Sequence, residues 1–166
     1  MVQNPPDTVT AWRIVAARHL AKAFSGDGAR LYGGRWNSKG VAVVYTAASL
    51  ALASLEIVVN LPSPALLDDF IRIPLHFESG LIEVLNPQAL PADWNHRPIS
   101  PCTRTIGDLW VQEQRSAVLC VPSIVVPEEC NYLLNPLHPD FDRIHIGQPV
   151  VYRFDPRLAG RNRLPV

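Results

Sequence analysis

A short glycine-rich stretch places an arginine among aromatic residues. Residues 32–37 read Tyr-Gly-Gly-Arg-Trp-Asn, so Arg35 follows directly on Gly33 and Gly34. Adjacent glycines let the backbone approach a ligand or adopt positive φ, and a guanidinium beside them can bind a phosphate while a ring stacks on the ligand. A hairpin turn with a surface arginine and a core tryptophan fits the pattern as well. Walker A and Rossmann GxGxxG spacings are both absent.

A second candidate is Glu56, the one charged residue of the apolar segment 47–60. At helical spacing Glu56 shares a stripe with Ser49, Ala53 and Asn60, and the remaining positions are almost all apolar. A helix this apolar is normally mostly buried. The stripe therefore faces water, a partner or a cleft, and a carboxylate in a cleft is a candidate acid, base or cation stabiliser.

Other polar residues give weaker signals. His138, Asp140 and Asp142 stand close together, but Pro139 and the tight spacing favour a plain turn over a metal site. Ser116 and Ser123 flank the segment AVLCVP, and neither lies in the GxSxG motif of a hydrolase. The three cysteines form no CxxC pair, so the sequence predicts no zinc site and fits a reducing compartment.

The elements that must position these residues are short. The pattern predicts a helix over residues 47–60, capped by Thr46 or Ser49, and a second helix over residues 104–115. Residues 24–40 are predicted to form a long loop, and Pro74 marks residues 69–77 as an edge strand. Because strands outnumber helices without a regular βαβ alternation, the predicted class is α+β. The remaining predicted strands cover residues 12–17, 41–46, 81–85, 117–126, 131–135 and 148–154.

Composition excludes several classes of protein. A chain of 166 residues with 48% hydrophobic residues forms one globular domain and is not disordered. Its net charge of zero argues against direct nucleic-acid binding. No apolar run approaches the ~18–20 residues of a membrane span, and residues 1–7 lack the pattern of a signal peptide. We therefore expect a cytoplasmic protein that does not enter a membrane.

Taken in order, these segments resemble the RES domain family, named for its arginine, glutamate and serine. The resemblance covers about residues 10–155, which predicts a single domain over residues 1–166 with loose termini at 1–9 and 156–166. The segments that carry it are Trp12-Arg13-Ile14, Gly33-Gly34-Arg35-Trp36-Asn37, Val44-Tyr45, Ser54-Leu55-Glu56, Leu119-Cys120-Val121-Pro122-Ser123, Asn131-Tyr132-Leu133-Leu134-Asn135-Pro136 and His138-Pro139.

The resemblance implies a fold like that of ADP-ribosyltransferases, with a split mixed β-sheet and flanking helices. It also implies a toxin of a bacterial type II toxin–antitoxin pair. Such a toxin cleaves the nicotinamide–ribose bond of NAD as a glycohydrolase or phosphorylase, or it ADP-ribosylates a protein. NAD is then a substrate, and no metal or cofactor is needed. The implied partner is an Xre-like antitoxin, and the alternative from another class is a catalytically silent module that only binds that partner.

The resemblance assigns the family arginine to Arg35 and the family glutamate to Glu56. Glu56 would stabilise the ribosyl cation that develops as nicotinamide leaves. The family serine is Ser123 or Ser116, with Ser123 preferred because it lies in the Val-Pro-Ser segment. It would bind the substrate or orient Glu56.

Two further residues match positions in the nucleotide pocket of the family. Arg13 belongs to the first strand and would hold the pyrophosphate together with Arg35. Tyr45 would pack on the nicotinamide or its ribose. Whether water, phosphate or a protein accepts the ADP-ribose, and how many copies of the chain assemble, stay open at the level of sequence.

Overall fold

The computed structural model describes residues 7–61 and 69–159. Three α-helices lie within this part of the chain: α1 (Asp27–Tyr32), α2 (Leu50–Asn60) and α3 (Pro101–Gln112). The strands in chain order are β1 (Thr8–Ala16), β2 (Val44–Ala47), β3 (Phe70–Glu78), β4 (Ile82–Val84), β5 (Val118–Pro122), β6 (Cys130–Leu134), β7 (His145–Ile146) and β8 (Val150–Tyr152).

The strands form one mixed sheet in the order β4-β5-β6-β2-β1-β3-β7, with β8 also pairing with β3. β4 and β5 run parallel, and the other neighbours are antiparallel. β1 pairs with β3 over nine positions, whereas the described parts of β1 and β2 share one paired position, Trp12 with Ala47. The sheet therefore splits into two halves between β1 and β2, and the predicted α+β class with a mixed sheet is confirmed.

The prediction that residues 69–77 form an edge strand is wrong. β3 pairs with β1 on one side and with β7 and β8 on the other. Pro74 lies between the stretches that pair with β8 and β7, and its carbonyl accepts a hydrogen bond from Gly147 at 2.8 Å. The N–H and C=O of one strand residue point to the same side of the strand. The side of Pro74 that lacks an N–H therefore faces the break between β7 and β8, and no hydrogen bond of the sheet is lost there.

Other boundaries differ from the sequence-based expectation. The predicted loop over residues 24–40 contains α1, and α3 begins at Pro101 rather than at residue 104. β1 begins at Thr8, inside the terminus expected to be loose, and a 3-10 turn occupies Pro156–Ala159. The rest of the predicted termini, residues 1–6 and 160–166, lie outside the described residues.

Helices α2 and α3 cover different parts of the sheet. α2 packs Leu52 and Ala53 against Ile14 and Phe70. Trp110 of α3 packs in a separate cluster with Trp36 and the β5 and β6 residues Leu119 and Leu133. No helix within residues 7–61 and 69–159 is long and apolar enough to cross a membrane.

Candidate functional site

Helix α2 starts directly after β2 and carries Glu56 on its cleft side. Ser49 is the N-cap: its Oγ accepts a hydrogen bond from the Leu52 N–H at 3.1 Å and donates to Oε2 of Glu129 at 2.9 Å. This cap ends the β2–α2 connection and fixes where the helix begins. Glu56 is half-buried and lines the cleft, so its stripe faces a cavity as the helix pattern allowed.

Two side chains from distant parts of the chain hold the Glu56 carboxylate by one oxygen. Ser123 Oγ donates to Oε1 at 3.0 Å, and Asn131 Nδ2 donates to the same atom at 2.7 Å. Hydrogen bonds to a carboxylate are the stronger, charge-assisted kind. Oε2 receives no hydrogen bond from the described residues, so one oxygen of Glu56 is held while the other stays available.

Ser123 is fully buried directly after β5. Its Oγ accepts from the backbone N–H groups of Val125 and Val126 at 3.0 and 3.1 Å, and its own hydroxyl proton goes to Glu56. With two bonds accepted and one donated, the hydroxyl of Ser123 uses all of its hydrogen-bonding capacity, and these three bonds fix its rotamer. The structure therefore brings Ser123 to Glu56 as a residue that orients the carboxylate.

Two cavities meet at Glu56. The first chamber, of about 400 Å³, is bounded by β1, β2, α2 and Phe70, and the second chamber, of about 520 Å³, is bounded by the glycine-rich loop and residues 122–125. Both volumes lie within the range of small-molecule sites. The residues lining both chambers are Tyr45, Glu56, Asn60 and Asn131.

Arg13 lines the first chamber at the split in the sheet. Its Nε donates to the Ala23 carbonyl at 2.6 Å, and its Nη1 donates to the Tyr45 carbonyl at 2.7 Å across the gap between β1 and β2. Burial lowers the pKa of Arg13 to about 10, which still leaves it charged at neutral pH. No carboxylate within the described residues forms an ion pair with it. A partly buried cation without an acidic partner favours an anionic ligand.

Arg35 lines the second chamber and is half-buried. Its Nη1 donates to the carbonyl of Trp94 at 2.8 Å and more weakly to that of His96 at 3.4 Å. Desolvation and the nearby Arg97 lower the pKa of Arg35, and Glu56 offsets this in part. Arg97 also lines the second chamber, so this chamber is cationic opposite Glu56.

The loop that carries Arg35 depends on two glycines. Gly33 has a φ of 72°, a conformation that few other residues adopt. A Cβ on Gly34 would lie 2.6 Å from Oη of Tyr45 and 2.8 Å from Oδ1 of Asn37, so only glycine fits there. The buried Asn37 donates through Nδ2 to nearby carbonyls, including that of Ala29 at 2.8 Å.

Helix α3 holds the loop from the outside. Thr103 Oγ1 donates to the Arg35 carbonyl at 2.6 Å, and Arg104 Nε donates to the Gly34 carbonyl at 3.1 Å. Side chains of α3 thus bond the main-chain carbonyls of two consecutive loop residues, Gly34 and Arg35, and fix the position from which the Arg35 side chain extends.

At Gly107 the backbone of the same helix packs directly against the backbone of the loop. A Cβ on this residue would lie 1.7 Å from the carbonyl oxygen of Trp36, so α3 can approach only because glycine stands there. At the next residue, Asp108 Oδ1 accepts a hydrogen bond from the Ser38 N–H at 2.8 Å. Sequence reasoning missed this role of α3, since nothing in a local pattern shows which helix packs on which loop.

Tyr45 lies between the two chambers, and its hydroxyl is engaged. It accepts from the Trp36 N–H at 3.1 Å and donates to Asn37 Oδ1 at 2.7 Å. Burial raises the pKa of Tyr45 above its ordinary value, so the phenol stays neutral. The ring is therefore fixed by the loop, and what it offers a ligand is its face.

Ser116 is not brought to the cleft. Its Oγ accepts from Trp110 Nε1 at 2.8 Å and donates to the Val118 carbonyl at 2.8 Å, where α3 leads into β5. It lines neither chamber. Of the two serines left open by the sequence, the structure places Ser123 on Glu56 and gives Ser116 a packing contact.

The histidine and aspartates at residues 138–142 form the turn that the sequence favours. His138 Nδ1 accepts from the Asp140 N–H at 3.0 Å, and a 3-10 turn follows over Phe141–Arg143. Within residues 7–61 and 69–159, no group of three or more His, Cys, Asp or Glu side chains is arranged to hold a metal ion.

Comparison with known proteins shows the family to which the chain belongs. The family model of the RES domain matches residues 10–155. "Toxin Res" of Yersinia enterocolitica is 42% identical over 148 residues, which cover 89% of this chain and 97% of that protein. "Prs ADP-ribosylating toxin" of Sphingobium sp. is 41% identical over 156 residues, which cover 91% of this chain and 97% of that protein.

Among solved structures, the crystal structure of the M. tuberculosis MbcT–MbcA toxin–antitoxin complex contains a chain with the same fold. The TM-score is 0.73 at 18% sequence identity, and the match covers 95% of this chain and 90% of that chain. The structural match supports the fold, and the sequence matches establish the family. This protein belongs to the RES domain family.

Proposed function

We propose that this protein is the toxin of a toxin–antitoxin pair and that it consumes NAD by cleaving the nicotinamide–ribose bond. The observation that carries the proposal is the position of the Glu56 carboxylate. It lies where the two chambers meet, Ser123 and Asn131 hold its Oε1, and its Oε2 is free of protein donors among the described residues. Arg13 and Arg35 line the chambers on either side.

The chemistry of this bond fits that arrangement. Its cleavage leaves positive charge on the ribosyl carbon and ring oxygen, as in glycoside hydrolysis. Nicotinamide departs as a neutral ring, so no acid has to protonate it. A fixed carboxylate beside the developing cation stabilises the transition state, and preorganised electrostatics of this kind is usually the largest catalytic term. Glu56 supplies that charge without having to reorganise.

The two chambers also fit a dinucleotide. NAD has two ring systems joined through a pyrophosphate, which carries negative charge and accepts hydrogen bonds. The unpaired Arg13 and the half-buried Arg35 supply donors for it in charge-assisted bonds. Apolar and aromatic residues of the first chamber, Trp12, Ile57 and Phe70, supply a surface for a ring.

A second reaction is supported by one of the relatives. The Sphingobium protein named "Prs ADP-ribosylating toxin" is 41% identical to this chain. Transfer of ADP-ribose to a protein begins with the same bond cleavage, and the two reactions differ in which nucleophile reaches the ribosyl carbon. Glu56 has the same role in both, so the acceptor is the point that an experiment must decide.

The proposed partner is an Xre-like antitoxin, and the proposed setting is the cytoplasm, where NAD is available. The mouth of the second chamber carries exposed apolar side chains: Tyr32 is 78% exposed and Val59 is 50% exposed. Exposed apolar side chains at a cleft are typical of interaction sites. We propose that a segment of the antitoxin covers the cleft between the Arg35 loop and Glu56, so that co-expression relieves growth arrest.

The test is mass spectrometry of NAD after incubation with the purified protein, with and without phosphate. We expect release of nicotinamide together with ADP-ribose, or with ADP-ribose phosphorylated at its anomeric carbon when phosphate is present. Labelled ADP-ribose found on a protein instead would favour the second reaction. Intact NAD after incubation with a protein that still binds its antitoxin would show a silent binding module and contradict the proposal.

Glu56→Gln is the matching variant, because it keeps the shape and removes the charge. We expect turnover to fall by a factor on the order of 10²–10³, the scale for loss of one preorganised stabilising group, with little change in NAD affinity. Glu128→Gln makes the same chemical change at an exposed position and is the control. Near-normal turnover by folded Glu56→Gln would remove Glu56 from the mechanism.

A further inference from the structure

Asn131 uses only half of its amide within the protein. Nδ2 donates to Oε1 of Glu56 at 2.7 Å, whereas Oδ1 is buried and receives no hydrogen bond from the described residues. The orientation of the amide is fixed, because the carboxylate can only accept and must face the NH₂ group. The atom left without a partner is therefore the acceptor, Oδ1.

The position of Asn131 makes this unfilled acceptor unusual. It lies on β6, paired with Val121 of β5 on one side and Ala47 of β2 on the other. Both neighbours are buried, so the backbone of Asn131 cannot shift to find another donor. A buried acceptor without a donor costs free energy, and such groups in native proteins call for an explanation.

The surroundings of Asn131 point to a ligand as that explanation. The residue lines both chambers, at the junction where Glu56 lies. If NAD is cleaved there, the part of the substrate nearest to Glu56 is the nicotinamide riboside half. That half carries two kinds of donor, the N–H groups of the carboxamide and the hydroxyl groups of the ribose.

Resting on the proposed function, we infer that Asn131 is a substrate-binding residue with two simultaneous contacts. Its Nδ2 positions Glu56, and its Oδ1 accepts a hydrogen bond from an N–H or O–H donor on the nicotinamide riboside half of NAD. One rigid side chain then fixes the distance between the carboxylate and the bond to be broken. A site that hydrogen-bonds a substrate donor discriminates strongly against analogues that lack it.

The experiment compares wild type and Asn131→Ala on three substrates. These are NAD, its 3-acetylpyridine analogue, in which a methyl ketone replaces the carboxamide, and an analogue without the 2′-hydroxyl of the nicotinamide ribose. We expect wild type to use one analogue less well than NAD, by a factor on the order of ten to a hundred in kcat/KM. In Asn131→Ala the difference in kcat/KM between NAD and that analogue disappears, while the kcat/KM ratio between NAD and the other analogue stays as in wild type. The analogue affected identifies the carboxamide or the hydroxyl as the donor.

The control is Asn60→Ala, which removes another amide that lines both chambers. Nδ2 of Asn60 donates to the main-chain carbonyl of Glu56 at 2.8 Å, within its own helix. This variant should keep the wild-type preference among the three substrates, whatever its absolute turnover. Thermal unfolding of each variant confirms that the ratios compare folded proteins.

Other outcomes are equally decisive. If Asn131→Ala loses the same factor on all three substrates, Asn131 acts only through Glu56 and the inferred substrate contact is wrong. In that case NAD cleavage by wild type still stands. If wild type leaves NAD intact, the proposed function fails and this inference falls with it.

Discussion

The two sides of the cleft differ in how their polar groups are hydrogen-bonded. On the loop side, made of residues 33–37 and the helix α3 behind them, main-chain groups bond partners within the protein: Gly34 N–H donates to the Asn37 carbonyl, and Trp36 N–H donates to Tyr45. On the carboxylate side, made of Glu56, Ser123 and Asn131, two acceptors receive nothing from the described residues.

The difference separates the support from the reactive part. Several internal hydrogen bonds to its backbone hold the loop side, and what it offers a ligand is the Arg35 side chain, which retains free donors after bonding the Trp94 carbonyl. The carboxylate side is held by fewer bonds but is aimed by them, since both donors reach the same oxygen of Glu56. A functional site needs a rigid support as well as reactive groups, because a charge is preorganised only if the surrounding structure keeps it in position.

After Glu56→Gln, the largest effect on turnover is expected for Arg35→Ala, the change that removes the ligand-facing part of the loop side. The loss of a charge-assisted contact in a desolvated site should lower kcat/KM for NAD on the order of a hundredfold. Arg35→Lys should recover only part of this, because an ammonium cannot form the paired bonds of a guanidinium. Steady-state kinetics on both variants provides the measurement.

The control for Arg35→Ala is Arg30→Ala. Arg30 lies in α1, a few residues before the loop, and its exposed side chain bonds Asp27. We expect unchanged kinetics from it. Wild-type turnover by Arg35→Ala would remove Arg35 from the site and leave the loop side as support alone.

Gly107→Ala should damage the support without touching the ligand. The added methyl would meet the Trp36 carbonyl at 1.7 Å, so α3 must move away from the loop. Overpacking of this kind costs ~1–3 kcal/mol, and lost bonds from Thr103 and Arg104 add to it. The gain in helix propensity from glycine to alanine offsets at most about 1 kcal/mol, so the free energy of unfolding should fall.

Chemical denaturation compares Gly107→Ala with Gly80→Ala, where a Cβ would meet nothing within 4 Å. The second variant should unfold close to wild type. A stable and fully active Gly107→Ala would mean that the loop does not depend on α3, and the contrast between the two sides of the cleft would be lost.

Ser123→Ala tests the carboxylate side in the same way. The variant leaves Glu56 with one donor, Asn131, and leaves the N–H groups of Val125 and Val126 without their acceptor. We expect a loss of ~1–3 kcal/mol in unfolding free energy, the cost of unsatisfied buried groups, and about a tenfold fall in turnover as Glu56 becomes less well aimed. A fall in stability with normal turnover would show that Asn131 alone positions the carboxylate.

How much of this could be read from sequence depends on the range of the contact. One charge on an apolar helix, a local pattern with a period of 3.6 residues, limits the surroundings of Glu56 to water, a partner or a cleft. Ser49 as the N-cap is local as well. In both cases the local pattern left few alternatives, and the structure selects the cleft for Glu56 and Ser49 rather than Thr46 for the cap.

The errors and omissions concern contacts between distant segments. Asn131 is 75 residues from Glu56 in the chain, and an asparagine at the start of a short strand gives no local sign of its partner. A proline marks an edge strand unless the strand beside it is broken opposite the proline. Here that break lies between β7 and β8, some 70 residues away in the chain, so no local pattern shows it. Local sequence patterns predict helices and strands, but the order of the strands in the sheet decides which of these elements come into contact.

The smallest effect is expected for Ser116→Ala, which separates the two serines that sequence could not. Ser116 accepts from the indole N–H of the buried Trp110, so its loss leaves that donor unpaired. The cost should be ~1 kcal/mol in unfolding free energy, with kcat and KM for NAD unchanged, since Ser116 lines neither chamber. Denaturation and kinetics on the same preparation measure both quantities. If turnover fell with Ser116→Ala as far as with Ser123→Ala while stability held, the assignment of the orienting serine to Ser123 would be wrong.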